Sequence, residues 1–330
     1  MARQLDARIE RIPVKGSFTI ARGAKTHVDV VLAEVREGSI TGRGEGTAIY
    51  YKGDSAEAAL AALQGAADAI AAGASRADLL ALLPAGAARN ALDCALWDLE
   101  AKQAGRRVWQ MIGLPSPQPL LTAFTISLGD PGTMAAAAHA ARGRELLKVK
   151  LGGEGGPDAD IERMAAVRRA APDARLIADA NEAWGGLDVE RTLARLAPLG
   201  VELVEQPVPA GGDAELEGVR AAVPIAADES CHTRASHDAI IGRYRHLKFK
   251  LDKAGGLTEA LALRHAAATR GLGVMTGCML CTSLAIAPAF HVAMQGSFAD
   301  LDGPLLVHDR PHGLRFDGSD VFPPEPDLWG

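Results

Sequence analysis

The pattern of hydrophobic and polar positions divides the chain into two kinds of sequence. In residues 3–47 apolar and polar residues largely alternate, as in VDVVLAEV at 28–35, which predicts antiparallel strands joined by short turns. Beyond residue 54 the apolar residues recur with helical spacing, which predicts helices at 55–72, 75–83 and 87–105. Strands followed by helices are typical of an α+β domain, which we place at residues 1–115.

After Pro119 the pattern changes to short apolar runs that alternate with stretches rich in alanine and leucine. These stretches are mostly helical in period, which predicts helices at 131–145, 158–171, 188–198, 212–222, 233–242, 256–270 and 282–295. Eight strands separated by helices predict a parallel (β/α) barrel of the TIM type. The fold class expected is therefore α/β, with a capping domain at 1–115, a catalytic barrel at 116–310 and a tail at 311–330 that packs on the capping domain. The strands are predicted at 122–129, 146–152, 174–181, 201–207, 224–230, 246–252, 272–277 and 298–302.

The composition favours an enzyme over a binding protein for nucleic acid or membranes. The chain has 330 residues, 48% of them hydrophobic, which is ample for a sizeable core. A net charge of −6 argues against a nucleic-acid partner, and no apolar run has the ~18 residues of a membrane span. Four cysteines do not suggest a disulfide framework, and the N-terminus reads as a strand and not as a secretory signal. We expect a cytoplasmic enzyme.

Three carboxylates follow consecutive strands of the predicted barrel. Asp179, Glu205 and Asp228 each come after apolar residues, at the strand ends where such barrels place their active sites. Three converging acids repel one another unless a cation lies between them. Carboxylate oxygens are hard ligands that suit Mg²⁺, so the sequence predicts a magnesium site.

Two pairs of lysines lie on the second and sixth predicted strands. Lys148 and Lys150 are two residues apart, as are Lys248 and Lys250, so the members of each pair share a face. Burial and a nearby cation lower the pKa of a lysine, which is how it becomes a general base near neutral pH. Strands two and six oppose each other in a ring of eight. Lysines placed there can remove a proton from one face of a carbon and return it to the other.

These motifs resemble those of a known family. The series KVK, DAN, EQP, ADES and KLDKAGG, with ARNALDCALWDLEAK in the first domain, is similar to the muconate-lactonising branch of the enolase superfamily. The resemblance implies two-base proton transfer through an enediolate, with Mg²⁺ as the cofactor. It implies these roles: Asp179, Glu205 and Asp228 as Mg²⁺ ligands, Lys150 and Lys250 as the acid/base pair, and Lys148 as a group that binds the substrate carboxylate and depresses the pKa of Lys150.

The eighth strand narrows the resemblance to dipeptide epimerases. Asp300 and Asp302 share a face there, and a carboxylate pair suits a substrate ammonium group. By resemblance, these two aspartates bind the free amino terminus of a dipeptide, while Thr125, Cys278 and Leu280 contact the same substrate. The superfamily often forms dimers or octamers, so a homo-oligomer is an open expectation. Lys248 departs from the neutral residue usual at its position, and its role stays open.

The loop ARGAK at 21–25 is expected to contact the side chain of the substrate's second residue. Loops of the capping domain cover the barrel mouth in the superfamily that the chain resembles, and a cation there suits an acidic second residue such as glutamate. The pattern is similar to that of L-Ala-D/L-Glu epimerases, which act on cell-wall peptide fragments. The sequence does not distinguish Arg22 from Lys25 as the residue that makes this contact.

Other functions fit these residues less well. Cycloisomerases and o-succinylbenzoate synthases of the same branch act on substrates without an ammonium group, against which Asp300 and Asp302 argue. A Schiff-base lyase has no need of three acids at strand ends. A catalytically silent binding barrel has no need of intact lysines and acids. The glycine-rich GRGEG at 42–46 lacks the lysine and hydroxyl of a phosphate-binding loop.

Overall fold

The computed structural model describes residues 2–20 and 23–330 of the chain. Its N-terminal part is a three-stranded antiparallel sheet in the order β1-β2-β3, covered by helices. The predicted strands are present, and the pairing of β1 with β2 shifts its register between Pro13 and Phe18. The elements are β1 (Gln4–Ile20), β2 (Gly23–Glu37), β3 (Ile40–Thr47), a 3₁₀ turn (Tyr50–Lys52), α1 (Ala56–Gly65), α2 (Ala67–Ala71), α3 (Leu79–Leu82), α4 (Ala87–Ala104) and α5 (Val108–Met111).

Three glycines of β3 allow this sheet to approach the backbone of α4. An ideal Cβ on Gly44 would lie 2.0 Å from the carbonyl oxygen of Ala91, and Gly42 and Gly46 are just as close to other carbonyl oxygens of the same helix. Any larger residue would push the helix off the sheet, because no real Cβ tolerates such distances. The glycines of GRGEG therefore serve close packing.

The rest of the chain forms strands that alternate with helices. One prediction is wrong: a 3₁₀ turn (Asp213–Leu216) replaces the helix expected at 212–222. Within the described residues, no helix is both long and apolar enough to cross a lipid bilayer. The elements are β4 (Leu120–Leu121), β5 (Phe124–Ile126), α6 (Pro131–Ala140), β6 (Leu146–Lys150), α7 (Gly156–Ala170), β7 (Arg175–Asp179), α8 (Val189–Leu196), a 3₁₀ turn (Ala197–Leu199), β8 (Val201–Glu205), β9 (Ile225–Ala227), α9 (Arg234–Ile240), β10 (His246–Phe249), α10 (Leu251–Ala254), α11 (Leu257–Ala268), β11 (Gly273–Gly277), α12 (Ser283–Ala293), β12 (Phe298–Asp300), α13 (Gly303–Leu306), β13 (Phe316–Asp317) and β14 (Asp320–Val321).

Strands β5 to β12 form the barrel predicted from the sequence. They are parallel neighbours in chain order, and the backbone N–H of Ala123 donates to the carbonyl oxygen of Ala299, 2.8 Å away, which brings the first and last strands together. A parallel bridge between Thr122 and Ala299 adds to this closure. The α/β fold with an N-terminal antiparallel sheet is thus confirmed. In such a ring of eight, β6 and β10 are four strands apart and lie on opposite sides.

Strand alternation decides which side chains enter the barrel. On β6, Leu147 and Val149 belong to the core between barrel and helices, whereas Leu146 packs in a separate apolar layer inside the barrel with Ile177 and Leu203. Lys148 and Lys150 share the inward face with Leu146, and they lie two and four residues closer to the carboxyl end of the strand. The apolar layer therefore forms the floor beneath the charged residues.

The C-terminal residues return to the first part of the chain. Trp329 is buried, and its indole N–H donates to the carbonyl oxygen of Cys94 at 3.1 Å. The backbone N–H of Gly330 donates to Asp98 at 2.8 Å. Both partners lie on α4, so the tail fixes the helix that lies between sheet and barrel.

Candidate active site

A cavity of about 200 Å³ opens at the carboxyl ends of the barrel strands, under the loops of the first domain. Residues of both parts of the chain line it, so the site is completed only when the N-terminal domain lies on the barrel. The barrel contributes Thr125, Lys148, Lys150, Asn181, Glu229, Lys250, Cys278, Met279, Leu280, Asp300, Asp302, Gly303 and Leu306, and the N-terminal part contributes Phe18, Gly23, Ala24, Lys25, Val28, Thr47, Tyr50 and Tyr51.

The three acids predicted to bind a metal converge at one point. Asp179, Glu205 and Asp228 have no exposed surface, and each offers a carboxylate oxygen within 4.8 Å of the others. Among the described residues, the Oε1 atom of Glu205 is buried without a hydrogen-bond partner, and burial raises the pKa of Glu205 to about 7. A cation bound here would satisfy that oxygen and favour the ionised form. The donor set is all carboxylate oxygen, which fits Mg²⁺.

Gln206 fixes the positions of Glu205 and Asp228 relative to each other. Its Oε1 atom accepts hydrogen bonds from the backbone N–H groups of Asp228, at 2.8 Å, and Ser230, at 3.1 Å. Its Nε2 atom donates to the hydroxyl of Ser230 at 2.9 Å. Gln206 has a φ of 33°, a conformation that non-glycine residues rarely adopt. The buried amide network keeps the backbone in this conformation directly after Glu205.

Lys150 and Lys250 enter the cavity from opposite sides of the ring. The Nζ atom of Lys150 lies 2.7 Å from Oδ2 of Asp179, and the Nζ atom of Lys250 lies 2.8 Å from Oδ2 of Asp228. Burial lowers the pKa of Lys150, and the charges of nearby lysines lower it further, against the effect of Asp179. Burial also disfavours the charged form of Lys250, but Asp228 raises its pKa above the usual value. The two lysines therefore differ in the ease with which they lose a proton.

Lys148 lies between the acids and the eighth strand. Its Nζ atom is 3.0 Å from Asp179, 3.0 Å from Glu205 and 2.8 Å from Asp300. Burial opposes its charge, but these carboxylates raise its pKa well above the usual value. Lys148 also lowers the pKa of Lys150, as its position on the same strand face predicts.

Two further lysines contact these acids. Lys248 is fully buried, with Nζ 2.7 Å from Glu205 Oε2 and 2.6 Å from Asp300 Oδ2. Lys253 is also buried, and its Nζ lies 2.6 Å from Asp228 Oδ1. The sequence reasoning did not assign Lys253, although it stands in the KLDKAGG motif three residues after Lys250. Its contact arises because α10 turns the chain back over the end of β10.

Asn181 and Glu229 are two further residues that the sequence reasoning missed. Asn181 Oδ1 accepts a hydrogen bond from Lys150 at 3.2 Å, and Asn181 Nδ2 donates to Glu229 at 3.3 Å. Both line the cavity. Their positions within DAN and ADES, next to proposed ligands, were the available signal. They extend the polar wall from Lys150 across to β9.

Asp300, at the end of β12, and Asp302, directly before α13, line the cavity as predicted, and each already has a partner. Asp300 Oδ2 accepts hydrogen bonds from Lys148 and Lys248. Asp302 Oδ2 accepts a hydrogen bond from the backbone N–H of Thr125 at 2.7 Å. Burial raises the pKa of Asp302 to about 6, helped by the charge of Asp300. This is the environment in which a nearby cation would favour ionisation of Asp302.

The remaining predicted residues, Lys25, Cys278 and Leu280, line the cavity, apart from one that is not described. The Nζ atom of Lys25 lies 3.7 Å from the ring centroid of Tyr50, and burial lowers the pKa of Lys25. Cys278 Sγ contacts the carbonyl oxygen of Asp300 at 3.4 Å, and the carbonyl oxygen of Leu280 accepts from Thr47 at 3.1 Å. Arg22 lies outside the described residues.

Two family profiles cover most of the chain. Residues 3–113 match the mandelate racemase / muconate lactonizing enzyme N-terminal domain, and residues 133–325 match the enolase C-terminal domain-like family. The chain therefore belongs to the mandelate racemase / muconate lactonizing enzyme family of the enolase superfamily. This confirms the resemblance drawn from the strand-end motifs.

Within that family the chain is similar to epimerases and racemases of amino acid derivatives. It is 46% identical to the L-Ala-D/L-Glu epimerase of Escherichia coli K12 over 310 residues, which cover 93% of this chain and 95% of the relative. It is 44% identical to the N-acetyl-D-glutamate racemase of a Pseudoalteromonas species over 254 residues, 77% of this chain and 79% of the relative.

The chain is also similar to solved structures that contain dipeptides. An enolase family member from Agrobacterium tumefaciens with homology to dipeptide epimerases, crystallised with sodium and L-Ala-L-Glu, is 50% identical and superposes with a TM-score of 0.96 over 99% of this chain and 100% of that chain. The dipeptide epimerase of Cytophaga hutchinsonii, complexed with Mg and D-Ala-L-Val, is 28% identical with a TM-score of 0.91, covering 98% of this chain and 94% of that one.

Proposed function

We propose that this chain is a Mg²⁺-dependent dipeptide epimerase that inverts the α-carbon of the second residue of L-Ala-D/L-Glu. The observation that carries the proposal is the placement of Lys150 and Lys250, which come from opposite sides of the barrel into one cavity beside three buried acids. A carbon held between two amine groups can lose a proton on one face and gain one on the other.

The substrate carboxylate would lie beside the proposed metal ligands. Lys148 lines the cavity there, and as an ammonium group it would donate to that carboxylate. Asp179, Glu205 and Asp228 would hold Mg²⁺, whose positive charge would stabilise the negative charge that develops on the carboxylate as the α-proton leaves. Binding of the carboxylate in this place would set the α-carbon between the two catalytic lysines.

The two lysines exchange roles with the direction of reaction. From one epimer, Lys150 as the free amine takes the α-proton while Lys250 as the ammonium group donates its own to the opposite face. From the other epimer, Lys250 takes the proton and Lys150 donates. The lowered pKa of Lys150 and the raised pKa of Lys250 favour the first pair of protonation states.

The amino terminus of the dipeptide would bind at the eighth strand. The Oδ2 atoms of Asp300 and Asp302 are engaged with protein partners, and the Oδ1 atom of each carboxylate would accept from the ammonium group. Thr125, Cys278 and Leu280 line the same side of the cavity and would contact the first residue. This arrangement fixes which end of the dipeptide reaches the lysines.

The glutamate side chain would point toward the capping domain. Lys25 lines the cavity there, and a carboxylate beside it would favour its charged form. Arg22, in the same loop, is the alternative contact. The L-Ala-D/L-Glu epimerase and the N-acetyl-D-glutamate racemase named above share a glutamate with an acylated α-nitrogen, which supports an acidic second residue.

The biological setting proposed is the recycling of cell-wall peptides in the cytoplasm. All four cysteines are free thiols, as is usual in a reducing compartment. A short alanyl-glutamate fragment is the substrate that such recycling would supply. We also propose that the chain forms a homo-oligomer, by analogy with the superfamily.

The test is a screen of dipeptides in D₂O by mass spectrometry, with Mg²⁺ or with a chelator. We expect one deuterium to enter the second residue of L-Ala-L-Glu and of L-Ala-D-Glu, only when Mg²⁺ is present. Exchange with other dipeptides but with no X-Glu member would contradict the substrate and leave the epimerase proposal standing. No exchange with any dipeptide would contradict the function itself.

A further inference from the structure

Lys248 is a buried lysine that the proposed mechanism does not use. Its side chain has no exposed surface, and its Nζ atom lies 2.6 Å from Oδ2 of Asp300. Lys148 and Lys150 of β6 line the cavity, as does Lys250 directly after β10, but Lys248 is not among the lining residues. It therefore does not reach a substrate directly, yet its charge lies beside one of the two carboxylates proposed to bind the substrate ammonium group.

The neighbouring strand makes room for Lys248 in this position. An ideal Cβ at Gly277 on β11 would lie 2.2 Å from Cε of Lys248 and 3.1 Å from its Nζ. A glycine is thus needed where the lysine stem passes. On its other side the ammonium group contacts Glu205 at 2.7 Å. Because protein encloses it, Lys248 stays with Asp300 when a substrate enters.

Lys148 differs from Lys248 in this respect. It also contacts Asp300, at 2.8 Å, but it lines the cavity and is assigned to the substrate carboxylate in the proposed function. Its charge is then shared with the substrate. Lys248 is the fixed counter-ion of Asp300.

The charge of the amino-group subsite follows from this pairing. Ionised Asp300 and Asp302 carry two negative charges, and Lys248 offsets one of them. The backbone N–H of Thr125 partly compensates the other. Two uncompensated buried carboxylates would exclude a substrate that lacks an ammonium group. When such a substrate displaced water from them, no positive charge would offset the free energy of desolvation. With Lys248 in place, that exclusion is much weaker.

We propose that Lys248 is a specificity-determining residue, and that this chain also racemises glutamate whose α-nitrogen carries an acyl group without an ammonium. This inference rests on the proposed function, because the reacting carbon, its carboxylate and the acidic side chain are the same. One α-carbon–hydrogen bond breaks and one forms. One lysine takes the proton, the other returns one, and nothing is oxidised or reduced.

The experiment compares two substrates that differ by the ammonium group alone: L-Ala-L-Glu and N-propionyl-L-glutamate. The readout is kcat/KM for deuterium incorporation at the glutamate α-carbon in D₂O with Mg²⁺. For the unmodified protein we expect the dipeptide to be preferred by less than about a thousandfold, well short of the 10⁴-fold with which buried polar sites reject analogues that lack a bonded group. In Lys248→Met the preference should rise about tenfold, mainly through KM, because a unit charge near the ammonium is lost.

Lys253→Met is the matched control, since Lys253 is also a buried lysine near the acids but contacts Asp228 instead of Asp300. We expect it to leave the ratio of the two substrates unchanged, whatever its effect on the rate. A preference above about a thousandfold in the unmodified protein, a ratio unaltered in Lys248→Met, or an equal rise in the control would overturn the inference.

The outcomes also distinguish a failure of this inference from a failure of the proposed function. Exchange into the dipeptide with none into the propionyl compound overturns the inference alone. Exchange into neither substrate contradicts the proposed function, and the inference with it. If Lys248→Met does not fold, the preference of the unmodified protein decides the question.

Discussion

Lys253 and Asp228 form a buried ion pair in which Nζ of the lysine lies 2.6 Å from Oδ1 of the aspartate. Lys253 also donates to the carbonyl oxygen of Asp228, so it fixes both the side chain and the backbone of a proposed metal ligand. We predict that Lys253→Met lowers the free energy of unfolding by about 2–3 kcal/mol, as for loss of buried charged hydrogen bonds. Urea unfolding in the absence of Mg²⁺ measures this.

A surface ion pair provides the control for this variant. Arg11 lies 2.8 Å from Asp29, but its side chain is 67% exposed. Arg11→Met should therefore cost less than about 1 kcal/mol. Equal losses in the two variants would mean that Lys253 does not hold Asp228 as the structure indicates.

Removal of the metal should lower thermal stability, because only the folded chain brings the three acids together. At a Mg²⁺ concentration a hundred times Kd the gain is about 2.7 kcal/mol. We predict a higher Tm with Mg²⁺ than with a chelator. Glu205→Gln should abolish most of that difference, because it removes the negative charge of a ligand whose Oε1 atom has no hydrogen-bond partner among the described residues. A full Tm shift in this variant would place the metal elsewhere.

The pH dependence of stability should reflect Asp252, which is buried where the capping domain meets the barrel. Its Oδ1 atom accepts hydrogen bonds from Thr47, at 2.8 Å, and Asn90, at 2.7 Å, and burial raises its pKa from the usual 3.8 to about 7. A raised carboxyl pKa means that the folded state holds the proton more tightly. Its contribution to stability is therefore full below about pH 4 and is lost as pH rises to about 7.

Asp252→Asn keeps an acceptor for both hydrogen bonds and cannot ionise. We predict that this variant gains stability relative to the unmodified protein as pH rises from about 4 to about 7. Urea unfolding at several pH values measures the difference. A difference that is constant over this range, or that falls as pH rises, would contradict the burial of a proton-binding Asp252.

The glycines of β3 should be intolerant of any side chain. Gly44→Ala would place a Cβ against the Ala91 carbonyl oxygen, and such overpacking costs about 1–3 kcal/mol. Gly65, at the end of α1, has open space around it and no positive φ, so Gly65→Ala should be neutral or stabilising by up to about 1 kcal/mol. Thermal unfolding compares the two. Similar Tm values would contradict the close approach of sheet and helix.

The architecture was predictable from the sequence because apolar residues recur with different spacings in buried strands and in helices. All eight barrel strands lie where apolar runs predicted them, including the short Phe298–Asp300. The prediction of a helix at 212–222 was wrong, although the stretch is rich in alanine and leucine. Gly212 and Gly218 interrupt that stretch, the latter with a φ of 78°, and only a 3₁₀ turn forms between them.

The chemistry at strand ends was equally visible, because barrel geometry sends those residues to one place. Asp179, Glu205 and Asp228 converge as expected. The position of Lys253 was not predictable, since its contact depends on how α10 turns back over β10. Likewise the approach of Tyr50 to Lys25 depends on how the first domain lies on the barrel, which no local pattern encodes.

Lys150 and Lys250 are proposed to act on opposite faces of one α-carbon, and variants of each lysine alone test this proposal. The measurement is deuterium incorporation from D₂O, with Mg²⁺, into separate samples of L-Ala-L-Glu and L-Ala-D-Glu by Lys150→Ala and Lys250→Ala. We predict that each variant loses epimerisation, and that each retains exchange from only one epimer, a different one for each lysine. Exchange into both epimers by both variants would contradict it.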